Sequence, residues 1–177
     1  MTHITIREMN LDDMIWVRNV FINYWGAPVV VSYGKLHNCD KLQGLVALRS
    51  PSIDGSDTQE LHERRCGLLT YLIENGECEI VTLNSFQEKS GIGALLIKSV
   101  IEKALTAHCR RIWLVTTNDN MHAIEFYHKR DFALIQIRKN IMPEYRKLKP
   151  EIPIIGENGI PITDELVFEM PLTALQI

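Results

Sequence analysis

One stretch, residues 81–107, limits the possible folds of this chain more than any other. Its sequence, VTLNSFQEKSGIGALLIKSVIEKALTA, begins as an apolar strand, passes through a polar loop with Gly91 and Gly93, and continues as an amphipathic helix. Such a loop leaves backbone N–H groups free at the start of the helix, where they can bind a phosphate group. The stretch therefore predicts a strand–loop–helix unit that holds an anion.

The surrounding sequence predicts a sheet around this unit. Two β-rich runs, 66–74 and 77–85, are joined by Asn75-Gly76, which is a strong signal for a β-hairpin. The apolar run 112–117 follows a helix, which suggests a crossover and parallel pairing with an earlier strand. Further strands are predicted at 3–8, 45–49, 132–140 and 166–170, and further helices at 12–24 and 120–130. The order predicts an α/β (α+β) fold, with a mixed sheet flanked by helices in a single domain over 1–177.

Three segments carry weaker signals. Residues 25–44 mix β-branched and turn residues, so their structure stays ambiguous. Residues 50–65 are polar and contain Pro and Gly, which predicts a solvated turn between two strands. Residues 141–165 contain several prolines and are interpreted as a loop before the last strand.

Charge and cysteine spacing exclude several classes of protein. A net charge of −3 gives no overall basic field that would attract nucleic acid or a membrane. No apolar run approaches the roughly 20 residues that span a bilayer, and residues 1–10 lack the pattern of a signal peptide, so we expect a cytoplasmic protein. The cysteines are widely spaced without a CxxC pair, which predicts buried free thiols and no zinc ribbon: Cys39, Cys66, Cys78 and Cys109.

The glycine pair alone does not identify a ligand, but a second motif adds specificity. Leu96 stands where a dinucleotide-binding loop has its third glycine, and the P-loop sequence Gly-Lys-Ser/Thr is absent. Residues 120–132 contain the pattern N-x-x-A-x-x-F-Y-x-K-x-x-F along a predicted helix. The two motifs together resemble the GNAT N-acetyltransferase superfamily, and the resemblance covers most of the chain. It implies a sheet that splays at an acetyl-CoA slot and direct transfer of acetyl from acetyl-CoA to an amine, with a small-molecule acceptor preferred and no metal.

The resemblance also implies which residues bind acetyl-CoA. The pyrophosphate loop corresponds to Glu88, Lys89, Ser90, Gly91, Ile92 and Gly93, followed by Ala94. Glu88 and Lys89 depart from the family pattern, although backbone N–H groups supply most of the anion binding in such loops. The strand from Val81 to Leu83 is implied to hold the pantetheine arm through its backbone. Asn120 is implied to hydrogen-bond that arm, and Tyr127 to protonate the departing thiolate.

The reaction also needs a base, because an ammonium group has no lone pair with which to attack a thioester. Glu77 and Glu79 lie two residues apart on one strand and therefore face the same side. This is the usual region for the base of a GNAT enzyme. Glu79 is the preferred candidate and Glu77 the second, while solvent-facing carboxylates near the Asn75-Gly76 turn are the plain structural alternative.

Other polar residues have structural alternatives that stay open. Tyr127 is either the acid or a core aromatic residue, and Asn120 is also a candidate N-cap of its helix. His122 and His128 lie six residues apart, so they do not share the helix face that a metal pair needs, and a solvated face is preferred. His37 and Trp25 are interpreted as packing or capping residues, with the lining of an acceptor pocket as the alternative.

The basic residues near the C-terminus and the overall role also leave alternatives. A solvated face is the preferred interpretation of the run, and binding of an anionic acceptor or of the 3′-phosphate of the cofactor is the alternative: Arg138, Lys139, Arg146, Lys147 and Lys149. The acid at Glu88 favours a second functional hypothesis, a non-catalytic module with the GNAT fold that senses an acyl-CoA. A homodimer is the assembly left open.

Overall fold

The computed structural model describes residues 3–50, 64–87, 90–156 and 159–172, which form nine strands and four α-helices. The strands are β1 (Ile4–Glu8), β2 (Val29–Ser32), β3 (Lys35–Asn38), β4 (Gln43–Arg49), β5 (Arg64–Glu74), β6 (Glu77–Ser85), β7 (Arg111–Thr117), β8 (Ala133–Arg138) and β9 (Glu165–Pro171). The α-helices are α1 (Met14–Trp25), α2 (Ile92–Thr106), α3 (Met121–His128) and α4 (Met142–Leu148). Short 3₁₀ helices precede α1 at Leu11–Asp13 and follow β3 at Cys39–Lys41.

Seven strands form one mixed sheet in the order β1-β4-β5-β6-β7-β9-β8, and β2 and β3 form a separate two-stranded ribbon. Within the large sheet, β6 and β7 are parallel and the other neighbouring pairs are antiparallel. The single parallel pair arises because α2 carries the chain from the end of β6 back to the start of β7. The mixed sheet with flanking helices confirms the predicted fold class.

Helices cover both faces of the sheet because side chains alternate along its strands. On β4, Leu45 packs into the core beneath α2, while its neighbour Val46 packs into the core beneath α1. On β5, Leu69 and Leu68 divide in the same way. The central strands are therefore apolar on both sides, as a sheet between two helix layers requires.

The predicted hairpin between β5 and β6 is confirmed. Asn75 has φ +53° and Gly76 has φ +72°, so both turn residues are in the left-handed region that a type I′ turn requires. The turn sets the register in which Glu74 faces Glu77 and Ile73 faces Cys78.

The sheet opens between β6 and β7. Their parallel pairing extends only from Glu77 and Arg111 to Ile80 and Leu114, although both strands continue beyond it. At the same point β6 contains a bulge: Thr70 faces Thr82 and Tyr71 faces Ile80, which leaves Val81 as the extra residue. Beyond this bulge β6 stays with β5 and β7 stays with β9, so a gap separates the two strands.

The structure adds to or corrects the sequence-based expectations in the first helix, in residues 25–44 and after residue 140. The first helix begins at Met14 rather than at residue 12, because Asn10 caps a 3₁₀ turn before it. The ambiguous residues 25–44 contain β2, β3 and a 3₁₀ helix, and the predicted loop after residue 140 contains α4. Most of the polar segment predicted at 50–65 lies outside the described residues.

Candidate functional site

A cavity of about 320 Å³ lies at the gap between β6 and β7. Val81 lines it from the bulge of β6, and Val115, Thr116 and Thr117 line it from β7. The rest of its wall comes from the start of α3, the end of α1, β2, α4, the segment that follows α4 and the first residue of β9. The cavity is therefore a consequence of the strands parting, and its remaining walls come from elements distant in sequence.

Glu165 is a buried acid in the wall of this cavity. The residue is 1% exposed, and its carboxylate accepts hydrogen bonds from the Tyr33 backbone N–H at 3.0 Å, the Tyr145 hydroxyl at 2.8 Å and the Arg138 guanidinium at 2.9 Å. The pKa of Tyr145 is raised, first by burial and then by its hydrogen bond to Glu165. Arg138 therefore supplies a cationic partner for this buried carboxyl group.

Ser32 connects the cavity to a second buried acid, Glu79. The Ser32 side chain lines the cavity, and its hydroxyl donates a hydrogen bond to Glu79 Oε1. Glu79 is buried, and this burial raises its pKa above the ordinary value of 4.5. His37 Nε2 lies 3.8 Å from Glu79 Oε1 and has no hydrogen-bond partner among the described residues, while burial lowers the His37 pKa. Glu79 is therefore a carboxylate with increased proton affinity, and the Ser32 hydroxyl links it to the cavity.

Glu77 and Glu79 line a second cavity of about 270 Å³, as expected for two residues on one face of β6. Their electrostatic surroundings are opposite, however. Glu77 accepts hydrogen bonds from Arg110 at 2.6 Å and Arg111 at 2.7 Å, and these partners lower its pKa. A carboxylate held by two guanidinium groups is a weak base, so Glu79 is the better candidate of the two.

Lys149 is a buried cation in the wall of the first cavity. Its side chain follows the last turn of α4, is 4% exposed, and donates a hydrogen bond from Nζ to the backbone carbonyl of Trp25. Trp25 is the last residue of α1, where carbonyl groups lack helical partners. Burial lowers the pKa of Lys149. A solvated position, which was the preferred interpretation from sequence, is therefore wrong for Lys149.

Two other members of the basic run are also partly buried. Arg138 binds Glu165, and Arg146 donates hydrogen bonds to the backbone carbonyls of Ile152, Pro153 and Ile162. Only Lys139 and Lys147 are exposed, and Lys147 pairs with Glu144.

The predicted pyrophosphate loop is described from Ser90 onward, and Glu88 and Lys89 lie outside the described residues. Gly91 is the N-cap of α2 with φ +76°, no side chain caps this end, and the space around its Cα would leave an added Cβ without a neighbour within 4 Å. Ser90 is exposed and donates from its hydroxyl to the carbonyl of Gln87 at 2.7 Å. The start of α2 therefore presents backbone N–H groups beside open space, as an anion site requires.

Of the next residues in the predicted loop, Ile92 and Gly93 are buried in the packing of α2, and Ala94 is partly exposed. Ile92 is fully buried, so its side chain belongs to the core, while Ala94 is half-buried. A Cβ on Gly93 would lie 3.1 Å from the Phe126 ring, so this glycine allows α2 and α3 to approach closely. Packing explains the second glycine of the motif without a ligand.

Of three other predicted residues, one lines the cavity and two lie in the core. Asn120 lines it and caps α3, since its Oδ1 accepts from the Ala123 N–H at 3.1 Å. Leu83 packs against the core and does not line the cavity. Tyr127 is 7% exposed and packs edge-on against Phe126 and Phe132, and burial raises its pKa. The structure thus brings Val81 and Asn120 into the cavity wall and places Tyr127 in the adjoining core.

Three polar residues of the site were missed from sequence, namely Ser32, Tyr145 and Glu165, and Lys149 was considered only as a member of the basic run. The prolines after residue 140 were interpreted as loop signals. However, Pro143 at the start of α4 is also the usual position of proline in a helix. With α4 recognised, the spacing of Tyr145 and Lys149 would have placed them on one helix face.

The described residues contain no cluster suited to a metal ion and no helix suited to a bilayer. Among the described residues, no group of three or more His, Cys, Asp or Glu side chains could hold a metal ion. Glu125, which lies midway between His122 and His128, pairs with Lys129. All four cysteines are free and buried, as predicted. None of the helices in the described part of the chain combines the length and the apolarity needed to cross a bilayer.

Comparison with known proteins adds the following similarities. The sequence model of the Acetyltransferase (GNAT) family matches residues 56–132. The uncharacterized protein YdhI of Bacillus subtilis (strain 168) is 41% identical over 84% of this chain and 86% of its own length. The fold is similar to a Bacillus subtilis acetyltransferase in complex with CoA, with a TM-score of 0.64, 19% identity, and coverage of 97% of this chain and 99% of the other. It is also similar to a GNAT family acetyltransferase from Elizabethkingia anophelis with acetyl-CoA bound, with a TM-score of 0.65, 20% identity, and coverage of 96% and 98%.

Proposed function

The chain belongs to the GNAT acetyltransferase family, and on this premise we propose that it transfers an acetyl group from acetyl-CoA directly to the amine of a small acceptor in a ternary complex. The observation that carries the proposal is the parting of β6 and β7 after Ile80, which leaves a cavity beside the free edge of β6. Acetyl-CoA supplies a thioester that an amine can attack. Binding of the cofactor and both proton transfers are assigned to residues of this chain.

Binding of acetyl-CoA is assigned to the start of α2 and to the open edge of β6. Gly91 gives the pyrophosphate unobstructed access to the N–H groups of the helix start, and residues 88–94 as a whole form the proposed loop. Val81 to Leu83 lie past the end of the β6–β7 pairing, so their edge can bind the pantetheine arm as an added strand would be bound. The side-chain amide N–H groups of Asn120 are assigned to the same arm as a second partner, since its oxygen already caps α3.

Proton transfer is assigned to Glu79 and Tyr127. The acceptor amine loses a proton to the Ser32 hydroxyl as Ser32 passes its own proton to Glu79, and the free amine then attacks the carbonyl carbon of the thioester. The raised pKa of Glu79 suits it to hold that proton. As the bond between carbon and sulfur breaks, Tyr127 donates its proton to the sulfur, and its raised pKa keeps the phenol protonated until then. The nitrogen of the new amide loses its extra proton, and the Tyr127 phenolate takes up a proton, so the products are the neutral amide, the CoA thiol and the restored phenol.

We further propose that residues 1–177 form a single cytoplasmic domain. Strand β1, which begins at Ile4, and strand β9, which ends at Pro171, belong to the same seven-stranded sheet, and this supports a single domain. The four thiols are unpaired and buried, which fits a reducing compartment.

Two assays test the proposed function. Calorimetry measures acetyl-CoA binding to the full chain, and a thiol-release assay over a panel of amines measures transfer. We expect saturable binding and acceptor-dependent release of CoA. Binding without turnover on any amine would point to the sensor module instead, and no binding would refute both.

A further inference from the structure

Two buried charged residues, Lys149 and Glu165, line the cavity and indicate the chemical class of the acceptor. We propose that the acceptor is an amine that also carries a carboxylate, as a small amino acid does, and that Lys149 binds this carboxylate. The inference rests on the proposed acetyl transfer to an amine, and it adds the recognition of a second group on the same molecule.

Lys149 is the first observation. An ammonium group has three N–H donors, and in the described part of the chain Lys149 uses one of them, on the Trp25 carbonyl. No carboxylate of the described residues lies within 4 Å of its Nζ. Glu151 is near enough to raise the pKa of Lys149 but forms no such pair and is itself exposed.

A cap for α1 alone does not require this burial. Lysine side chains often bind the last carbonyls of a helix from the surface, where the rest of the ammonium group stays hydrated. Here the side chain is 4% exposed and faces a cavity, so removing it from water has a cost that one carbonyl does not offset. A bound carboxylate would use the remaining donors and neutralise the charge.

Acidic groups in the same cavity suit the amine of the acceptor. Glu165 is fully buried in the wall and, with three hydrogen bonds accepted, retains capacity for one more donor. Ser32 connects the cavity to Glu79. The wall therefore contains a cation and acidic acceptors, which together match a molecule that carries both charges.

The cavity volume restricts the acceptor to a small molecule. Lys149 and Glu165 both line this one cavity, so an acceptor that fills it can contact both of them. A volume of about 320 Å³, part of which is assigned to the thioester, leaves room for an amino acid and not for a folded protein segment.

Matched pairs of amines test the inference. Each pair consists of an amino acid and the amine left after its carboxylate is removed: phenylalanine and phenethylamine, tyrosine and tyramine, leucine and 3-methylbutylamine, lysine and cadaverine, histidine and histamine. The measured quantity is the ratio of kcat/KM values within a pair, from thiol release by the full chain with saturating acetyl-CoA. We expect the best acceptor to be a carboxylated member, with a ratio of at least about tenfold, the size of effect that one charge-assisted hydrogen bond supports.

Variants then assign the preference to Lys149. Lys149→Met should reduce the ratio to near one, and Lys149→Arg should retain part of it because the charge remains. Lys147→Met is the matched control, since Lys147 lies in the last turn of α4 just before Lys149, is exposed and pairs with Glu144, so its ratio should equal that of the wild type. A thermal denaturation curve checks that each variant is folded. If Lys149→Met is unfolded, the comparison of Lys149→Arg with the wild type takes its place, and a ratio of kcat/KM values that is the same in both would contradict the role of Lys149.

Three results would overturn the inference while leaving the proposed function intact: equal or better use of the carboxylate-free amines by the wild type, a ratio that survives Lys149→Met, or acetyl-CoA binding without transfer to any carboxylated amine while other amines react. Failure to bind acetyl-CoA would refute the proposed function itself.

Discussion

Replacing Glu79 by glutamine tests the proposed acid–base chemistry most directly. Glutamine has nearly the same shape, and its side-chain oxygen can still accept the hydrogen bond that the Ser32 hydroxyl donates. It cannot accept the proton of the amine. A positioned general base contributes roughly 100-fold to 10,000-fold to the rate, so Glu79→Gln should lower kcat at least about 100-fold. Affinity for acetyl-CoA should be unchanged, because the substitution does not touch the start of α2 or the open edge of β6.

The pH dependence provides a second readout of the same substitution. Glu79 accepts a proton only when ionised, and burial raises its pKa above 4.5, so wild-type kcat/KM should rise as the pH increases through that raised value. In Glu79→Gln this rise should vanish, and any remaining rise belongs to the ammonium group of the acceptor. The effect on stability has the opposite sign. A carboxylate whose pKa is raised in the folded state destabilises the fold as the pH rises above the unfolded pKa of 4.5, so the melting temperature of Glu79→Gln should increasingly exceed that of the wild type above this pH.

The assay is thiol release with the best acceptor of the panel, from pH 5 to pH 9, alongside calorimetry with acetyl-CoA. Glu74→Gln is the matched control, because Glu74 borders the same second cavity as Glu79 but is exposed. Its kcat at high pH should match the wild type, and its pH profile should shift to lower pH, because the Glu74 charge adds to the burial that raises the Glu79 pKa. If Glu79→Gln keeps kcat within about threefold of the wild type and the same pH profile, Glu79 is not the base and the proposed route through Ser32 is wrong.

Three further substitutions test the acid, the loop and the fold. Tyr127→Phe should lower kcat at least about 100-fold with acetyl-CoA affinity nearly unchanged in calorimetry, and undiminished turnover would refute its role as the acid. Gly91→Asp should weaken acetyl-CoA binding at least about tenfold by adding charge at the helix start and straining a residue with φ +76°, and equal affinity would refute the loop assignment. Asp13→Asn should cost about 3 kcal/mol of unfolding free energy at pH 7, because it breaks a buried pair with Arg7 at 2.6 Å and Arg65 at 2.8 Å. These partners lower the Asp13 pKa, so the wild type loses this stability as the pH falls below 4, and denaturant unfolding that shows the same difference between variant and wild type at pH 3 and pH 7 would contradict the assignment.

The central unit of the fold was predictable because its signals are local. Asn75-Gly76 supplies the two left-handed residues of a tight turn, and Gly91 supplies the left-handed start of α2. Alternating and helical apolar patterns identify the strands and helices on either side without knowledge of their partners. The pattern at residues 120–132 added the family resemblance, and the family comparison confirmed it.

The limits of sequence reasoning are visible in α4 and β2. Each is short, and each acquires its structure from contacts with distant residues: Tyr145 on α4 bonds to Glu165 on β9, and Ser32 on β2 bonds to Glu79 on β6. Propensity and periodicity are weak in segments of this length, so the tertiary contacts decide.

The sequence by itself determined the strand–loop–helix unit, the hairpin and the pair of candidate bases, because these depend on neighbouring residues. Only the tertiary structure decided how the candidates differ. Glu77 and Glu79 are equivalent in sequence, yet two arginines lower the pKa of one and burial raises the pKa of the other. Likewise, Lys149 is one of several basic residues until folding buries it and brings its ammonium group to the last carbonyl of α1. The physical reason is that ionisation depends on burial and on charges brought together by folding, and neither is encoded in local sequence spacing.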